Sequence, residues 1–274
     1  MKPTWGLVSR HGVLSSDSLS HIGPLACTVT DCALLLGVIA GPDDLDPETA
    51  RARTSDYAGG VERGASGIRL GVELNFLHDD RTGDLARSAM ENAIESFRTL
   101  GVEVAEVQFD DVPLILPVLH AIFVAETAAR HRDLLKQKKS MYGERLRKLV
   151  QLGQLVPVSD YVVAQQLRRR LGDALRRLFE RHRLDCMILP THAAPASLLK
   201  NRPSSLLDFD LRCGLANLTG LPALSVPAGF SDEGLPLAFE LYGRPFGERT
   251  LFQVAAAYER LNSWYRRVPP AVKG

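Results

Sequence analysis

A strand, a helix and a second strand follow one another between residues 68 and 107, and this run constrains the fold most. Residues 68–74 have the pattern of a strand, and residues 102–107 alternate apolar and acidic side chains, as a half-buried strand does. Between them, apolar residues recur at the helical period over residues 85–100, and Gly101 ends that pattern. Because strands joined through a helix pair in parallel, the sequence predicts a β-α-β unit.

The C-terminal half predicts further strands. Residues 186–189 are a continuous apolar run of strand length, and residues 223–228 and 237–242 have the composition of two more strands. Residues 230–234 are polar and end in glycine, which is typical of a hairpin loop. We therefore expect an antiparallel pair in the same sheet as the β-α-β unit. The predicted fold class is α/β, with a mixed sheet flanked by helices.

Two other helices have recognisable starts. Thr28 followed by Asp31 indicates an N-terminal cap, and Gly41 with Pro42 ends that helix. Its predicted buried stripe is apolar: Leu34, Leu35, Val38 and Ile39. A last helix is expected over residues 248–266, with Leu251, Val254, Ala255, Tyr258 and Leu261 buried.

The middle of the chain predicts helices. Pro113 and Pro117 mark the start of one, which continues over residues 119–135. Ser159 is a candidate N-cap for another that extends to about His182. This second helix carries many arginines, among them Arg168, but no aromatic residues stand between them as a nucleic-acid surface would need. A solvated helix face is the favoured interpretation.

Charge and composition point to no special partner. The formal net charge is +1, which gives no bulk attraction to nucleic acid or to a membrane surface, and no apolar run has the length of a bilayer span. The seven histidines lack metal-ligand spacing, and the four cysteines form no disulfide pattern. We expect a cytoplasmic protein without metal or cofactor, and without a nucleic-acid or membrane partner. Cys32 and Cys186 stand in apolar runs and should pack as small hydrophobic residues.

Several segments, in order, resemble the amidase signature family, serine hydrolases that cleave carboxamides. Residues 1–12 read MKPTWGLVSRHG and are similar to a string that follows the catalytic serines of that family. Residues 18–24 (SLSHIGP), 28–41 (TVTDCALLLGVIAG) and 217–223 (NLTGLPA) match further family segments. So do Leu189-Pro190-Thr191, Gly234-Leu235-Pro236 and residues 243–246, so the resemblance covers nearly the whole chain and is weakest over residues 110–183.

The resemblance implies a catalytic set of two serines and a lysine, in which the lysine acts as base through the bridging serine. The Gly/Ser-rich segments that carry these serines in the family have no counterpart in these 274 residues. Lys2 is no substitute, because it belongs to the Lys-Pro-Thr string. No other hydrolase, phosphate-loop or dinucleotide motif stands in their place. We therefore expect residues 1–274 to be one domain, an N-terminally truncated C-terminal portion of the fold, without catalytic residues.

Three residues at strand ends are the candidates for substrate binding: Thr191, Asn217 and Thr219. By resemblance they line the cleft of the family. Asn217 and Thr219 could equally satisfy backbone groups of a turn, and both interpretations stay open. His21 and Ser20 are weaker candidates, since the family has aspartate where Ser20 stands. Trp5 lies beside the presumed cleft, although packing in the core is the favoured interpretation.

Three functions fit. The first is the C-terminal portion of an amide hydrolase or of an amidotransferase A-type subunit, inactive alone, with a small-molecule amide as substrate once completed. The second is one half of a split enzyme with a complementing chain, and the third is a binding protein that keeps the cleft. If part of the domain is absent, apolar faces are exposed and the chain should associate with itself. The edge around Leu7 and Val8 should then be unprotected.

Overall fold

A computed structural model describes residues 1–14, 18–198 and 214–267. Its centre is one mixed five-stranded sheet with strand order β2-β1-β3-β5-β4. The strands are β1 (Arg69–Glu73), β2 (Glu103–Val107), β3 (Cys186–Pro190), β4 (Ala223–Phe230) and β5 (Pro236–Gly243).

Eight α-helices surround the sheet in the described part of the chain. They are α1 (Val29–Ile39), α2 (Leu74–Leu77), α3 (Asp84–Thr99), α4 (Val112–Gln137), α5 (Glu144–Gly153), α6 (Val158–Arg181), α7 (Gly214–Thr219) and α8 (Glu248–Asn262). The predicted α/β class, with a mixed sheet flanked by helices, is confirmed.

The β-α-β unit is also confirmed. β1 pairs with β2 in parallel, from Arg69 opposite Glu103 to Glu73 opposite Val107, and α3 connects the two strands. β3 lies on the other side of β1, also in parallel. β5 pairs antiparallel with both β3 and β4, so the predicted hairpin belongs to the same sheet.

The two faces of the sheet bury different cores. Leu70, Val72 and Ile188 point to one face, where they join a cluster with α1, α3 and α8. Met187 and Leu189 point to the other face and pack in a cluster with α4, α6 and α7. This alternation follows from the two-residue period of a strand, and it explains why β3 is buried along its whole length.

The cap of α1 was predicted correctly, and its buried face was not. The Thr28 side chain accepts a hydrogen bond from the Asp31 backbone N–H at 3.1 Å. However, the buried residues of α1 are Val29, Cys32, Ala33 and Leu36, whereas Leu34, Leu35, Val38 and Ile39 are exposed. The helix carries large apolar residues on both sides, so periodicity alone could not tell which side faces the core.

α4 differs from its prediction in two ways. It begins at Val112 with Pro113 in its first turn, and Pro117 lies inside the helix rather than before it. By length and composition alone it could cross a membrane, contrary to the expectation from apolar run length. Core helices of soluble proteins share this property. In α4, 44% of the apolar 18-residue stretch that meets this criterion is buried against the rest of the fold.

Two further expectations, about a helix cap and a sheet edge, were wrong. α6 begins at Val158 with Pro157 as N-cap and without a side-chain cap, so Ser159 does not cap it. Val8 forms a β-bridge with Ala40, and Leu7 and Val8 are buried, so that edge is protected.

The last helix is shorter than predicted. It ends at Asn262, because Ser263 adopts a left-handed conformation, and Leu261 is half exposed rather than buried. Cys32 and Cys186 are buried free thiols, as expected. Cys213 lies outside the described residues.

Candidate functional site

Two of the three predicted binding residues lie on α7, the short helix that precedes β4. Asn217 donates from its side-chain amide to the Leu19 carbonyl at 2.7 Å. Thr219 donates its hydroxyl to the Leu215 carbonyl at 2.8 Å, a bond within the helix. Asn217 therefore connects α7 to the segment of residues 18–21, here called the 18–21 loop, while the Thr219 bond satisfies a local backbone group.

The third predicted residue, Thr191, directly follows β3. Its backbone N–H contacts the Ala238 carbonyl at 3.5 Å, so it stays beside β5. Its hydroxyl is buried without a hydrogen-bond partner among the described residues. No described hydrogen bond joins Thr191 to α7. The unpaired hydroxyl is consistent with a polar ligand contact at this strand end.

A buried arginine joins the 18–21 loop to α7. Arg168 of α6 donates from Nε to the Leu218 carbonyl at 2.6 Å and from its two terminal nitrogens to the Ser18 hydroxyl and carbonyl, both at 2.7 Å. Burial lowers the pKa of Arg168, and Glu126 opposes this shift. The solvated arginine face expected from the sequence is therefore wrong at Arg168.

Glu126, a buried carboxylate on α4, holds the same loop from another side. It accepts from the Ser18 backbone N–H at 2.9 Å, from the Ser18 hydroxyl at 2.5 Å and from the Tyr161 hydroxyl at 2.9 Å. Gln165 donates to the Tyr161 oxygen at 2.9 Å. Burial raises the pKa of Tyr161, and its bond to Glu126 adds to the effect. The Ser18 hydroxyl, which both accepts from Arg168 and donates to Glu126, is part of a fixed network.

These residues were missed in the sequence. Glu126 stands alone among apolar residues on α4, and an isolated acid in an apolar helix is a signal for a buried polar contact. Arg168 gave no such signal, because six other arginines surround it on α6 and in the residues just after it.

His21 stands at the end of the 18–21 loop, beside Trp5. Its Nδ1 lies 3.1 Å from the Leu19 carbonyl, and the two rings meet edge to face with centroids 5.2 Å apart. Burial, with the neighbouring Lys2 ammonium as a second cause, lowers the pKa of His21 to about 3. The imidazole is therefore neutral at physiological pH, with Nδ1 donating to Leu19, and its buried Nε2 is an acceptor without a described partner.

Trp5 packs against the turn that follows α7. Its backbone N–H donates to the Gly220 carbonyl at 2.9 Å. Gly220 has a φ of +73°, and a Cβ there would come within 3.0 Å of the Trp5 Cβ. Only glycine fits both conditions. Trp5 is partly exposed and donates its indole N–H to Glu48, so it borders the site rather than lying fully in the core.

Lys2 lies in a buried group of charges next to His21. Burial lowers the pKa of Lys2 to about 7, while Glu248 and Glu240 act in the opposite direction. Burial likewise raises the pKa of Glu240 to about 7. Glu248 accepts from the Thr4 backbone N–H at 2.7 Å and has one buried oxygen without a described partner. The contacts of Lys2 with Ala223 and of Thr4 with Glu248 fix residues 2–4 against the rest of the fold.

We looked for a metal site and for a cavity. Among the described residues, no group of histidine, cysteine and acidic side chains could hold a metal ion. A cavity of about 440 Å³ is bordered by Arg10, His11, Leu14, Asp46 and Arg130, and none of the predicted binding residues lines it. The candidate site is therefore the meeting point of the 18–21 loop, α7 and Trp5.

Comparison with known proteins identifies the family. Residues 1–252 match the family model described as Amidase. An amidase from Pseudomonas putida is 36% identical over 281 residues, which cover 99% of this chain and 59% of the relative. The A-type subunit of the glutamyl-tRNA(Gln) amidotransferase from Myxococcus xanthus is 32% identical and is matched over 98% of this chain and 61% of the relative.

A solved structure agrees with the sequence match. The A-type subunit of the glutamyl-tRNA(Gln) amidotransferase from Thermotoga maritima superimposes with a TM-score of 0.79 at 29% identity, over 94% of this chain and 57% of that chain. The chain thus spans about three fifths of the length of these relatives. The match over most of its residues, in sequence and in fold, shows that the chain belongs to the amidase signature family.

Proposed function

We propose that this chain provides the substrate-binding part of an enzyme that hydrolyses small carboxamides. The observation that carries the proposal is the family match over residues 1–252. The geometry supports it, because the 18–21 loop and α7, which both resemble family segments, meet through Asn217 and Arg168. Asn217, Thr219 and Thr191 are proposed as the residues that face the amide.

The reaction adds water across the amide C–N bond. The water oxygen bonds to the carbonyl carbon, the C–N bond breaks, and the nitrogen leaves as ammonia or an amine with a proton from water. The family resemblance assigns this step to two serines and a lysine in Gly/Ser-rich segments, which these 274 residues do not contain. We propose that another polypeptide segment supplies them, and that this chain alone is inactive.

A second candidate is an amidotransferase A-type role. Relatives at 30 to 33% identity are A-type subunits of glutamyl-tRNA(Gln) amidotransferases, among them that of Myxococcus xanthus. In that role the completed enzyme would release ammonia from glutamine for transfer to an acceptor. A binding protein that keeps the site without chemistry is the remaining alternative.

The test is ammonia release from a panel of simple carboxamides, with glutamine and asparagine included. The purified chain alone should give no turnover, because on this proposal the nucleophile, the base and the oxyanion donors all come from another polypeptide segment. Adding a polypeptide with the Gly/Ser-rich segments should produce it. Glutamine as the preferred substrate would favour the amidotransferase role.

A second test asks whether this chain contains a catalytic site of its own. Turnover by the chain alone that survives Ser15→Ala, Ser16→Ala and Cys27→Ala together would mean that other residues of this chain are catalytic. Ser15 and Ser16 lie outside the described residues. The DNA upstream of Met1 separates the remaining cases: a Gly/Ser-rich stretch in frame indicates one longer enzyme, and a separate reading frame indicates a split enzyme.

A further inference from the structure

A cavity of about 440 Å³ lies where residues 10–14, residues 45–46 and Arg130 of α4 meet. This volume is within the range of small-molecule binding sites. Gly12 has a φ of +78°, and a Cβ added there would meet no described atom within 4 Å. The chain therefore faces open space at Gly12, and the cavity has room for an organic ligand. The chemistry of its lining indicates which ligand fits.

Two guanidinium groups line the cavity. The Arg10 guanidinium carbon lies 4.1 Å from the centroid of the Trp5 ring, and its Nε lies 3.8 Å from the Asp46 carboxylate, so this side chain is held in place. Arg130 is exposed, and the ion pairs described on α4 do not include it. A planar guanidinium with several N–H donors matches the two oxygens of a carboxylate. The pair of arginines thus favours a carboxylate ligand.

The acids at the cavity already bond within the fold. Asp46 is buried, and it accepts from the Arg10 backbone N–H at 2.8 Å and from the Glu48 backbone N–H at 3.2 Å. Asp43, in the same loop, does not line the cavity and accepts from the Ser9 hydroxyl at 2.5 Å. Because both oxygens of Asp46 are occupied, the two guanidinium groups dominate the charge that a ligand meets.

The remaining wall of the cavity is apolar. Val13, Leu14 and Leu45 line it and are 42%, 53% and 66% exposed. An inorganic anion leaves these three side chains in water, whereas an acid with a hydrocarbon body covers them. Covering apolar surface stabilises a complex. The lining as a whole therefore matches a molecule with one anionic end and one apolar end.

We propose that this cavity is a binding site for a small carboxylic acid. Its carboxylate contacts Arg10 and Arg130, and its hydrocarbon body covers the three apolar side chains. The site goes beyond the proposed function, since it requires neither an amide nor catalytic groups. Because Arg10 also stacks on Trp5, a ligand in the cavity changes the surroundings of a tryptophan that borders the candidate site.

The experiment titrates the whole chain with 4-methylpentanoate, followed by isothermal calorimetry and by Trp5 fluorescence in the Trp264→Phe variant. Acetate has the same charge without the apolar body, and 4-methylpentan-1-ol has the body without the charge. We expect the 4-methylpentanoate to bind at least about tenfold more tightly than either, since only it uses both parts of the lining. Added salt should weaken its binding.

Three variants locate the ligand. Arg130→Gln removes one of the two charges and should weaken binding of 4-methylpentanoate at least about tenfold. Arg132→Gln is the matched control, because Arg132 is exposed on the same helix and does not line the cavity. Leu45→Ser should weaken binding of 4-methylpentanoate about threefold and leave acetate binding unchanged. Since all three side chains are exposed, circular dichroism should show an unchanged fold.

Four results would overturn the proposal. The first is no binding of 4-methylpentanoate by the unmodified chain. The second is equal binding by Arg130→Gln and Arg132→Gln, because the anion would then lie elsewhere. If 4-methylpentan-1-ol binds as tightly as the acid, the cavity takes neutral apolar molecules. If acetate binds as tightly as the acid, the cavity takes any small anion and the apolar wall has no role.

Discussion

At the scale of single residues, Glu240 predicts how stability depends on pH. Burial raises its pKa from 4.5 to about 7, against the pull of the Tyr242 hydroxyl and the Lys2 ammonium. The folded state therefore holds this proton more tightly than the unfolded chain. The stabilising contribution is complete below pH 4.5 and is lost as the pH rises to about 7. Glu240→Gln should remove this loss.

The measurement is urea unfolding of both proteins at about pH 5 and about pH 7.5, because most of the loss in stability from Glu240 falls between these two pH values. From the lower to the higher pH, the unmodified chain should lose about 1–3 kcal/mol more unfolding free energy than the Glu240→Gln variant, since one pKa unit corresponds to about 1.4 kcal/mol. Glu103→Gln is the control, because Glu103 is an exposed acid on β2. Equal pH profiles for Glu240→Gln and the unmodified chain would contradict the prediction.

The residues of the candidate site were only partly predictable. Asn217 stands next to a Gly-Leu-Pro turn, and turn chemistry drew attention to it. Its acceptor, Leu19, is 198 positions away, and no local pattern encodes a contact over that separation. The contacts of Glu126 and Arg168 could not be predicted for the same reason, because each residue bonds to Ser18 from a helix that is distant in the sequence.

At the scale of elements, the 18–21 loop depends on the guanidinium geometry of Arg168. Its three nitrogens reach three acceptors on Ser18 and Leu218, and a lysine ammonium cannot reproduce this arrangement. Arg168→Lys should cost about 1–3 kcal/mol of unfolding free energy. It should also speed hydrogen exchange at the Ser18 amide, which donates to Glu126.

The matched control lies on the same helix. Arg176 pairs with Glu180 four residues on, and both side chains are exposed. Arg176→Lys should change stability by no more than ~0.5 kcal/mol. If Arg168→Lys behaves like Arg176→Lys in both stability and exchange, α6 does not anchor the loop.

Elements with a clear period were predictable, and ambiguous ones were not. β1, α3 and β2 follow from alternation and helical spacing, which depend on local sequence alone. The buried face of α1 does not, because both faces carry large apolar residues. The cap of α6 was placed too late, at Ser159, although Pro157 presets the backbone for the helix start.

At the scale of the whole molecule, the chain was expected to be one domain over residues 1–274. The two core clusters lie on opposite faces of the same sheet, so neither can lose its packing without exposing the strands of the other. Residues 2–5 also link distant parts of the chain, since Lys2 bonds to Ala223 and Thr4 to Glu248. This arrangement favours unfolding as one cooperative unit.

The two tryptophans of the chain test this prediction, because they report on different places. Trp5 lies beside His21 and the turn after α7, whereas Trp264 packs against Phe230 and the core that contains α8. Trp5→Phe and Trp264→Phe each leave one fluorescent probe. In urea, each variant should lose its remaining tryptophan signal and its far-ultraviolet circular dichroism at the same midpoint. A separation of the fluorescence and dichroism midpoints within either variant would mean that the two sides of the sheet unfold independently, and the chain would then contain two domains.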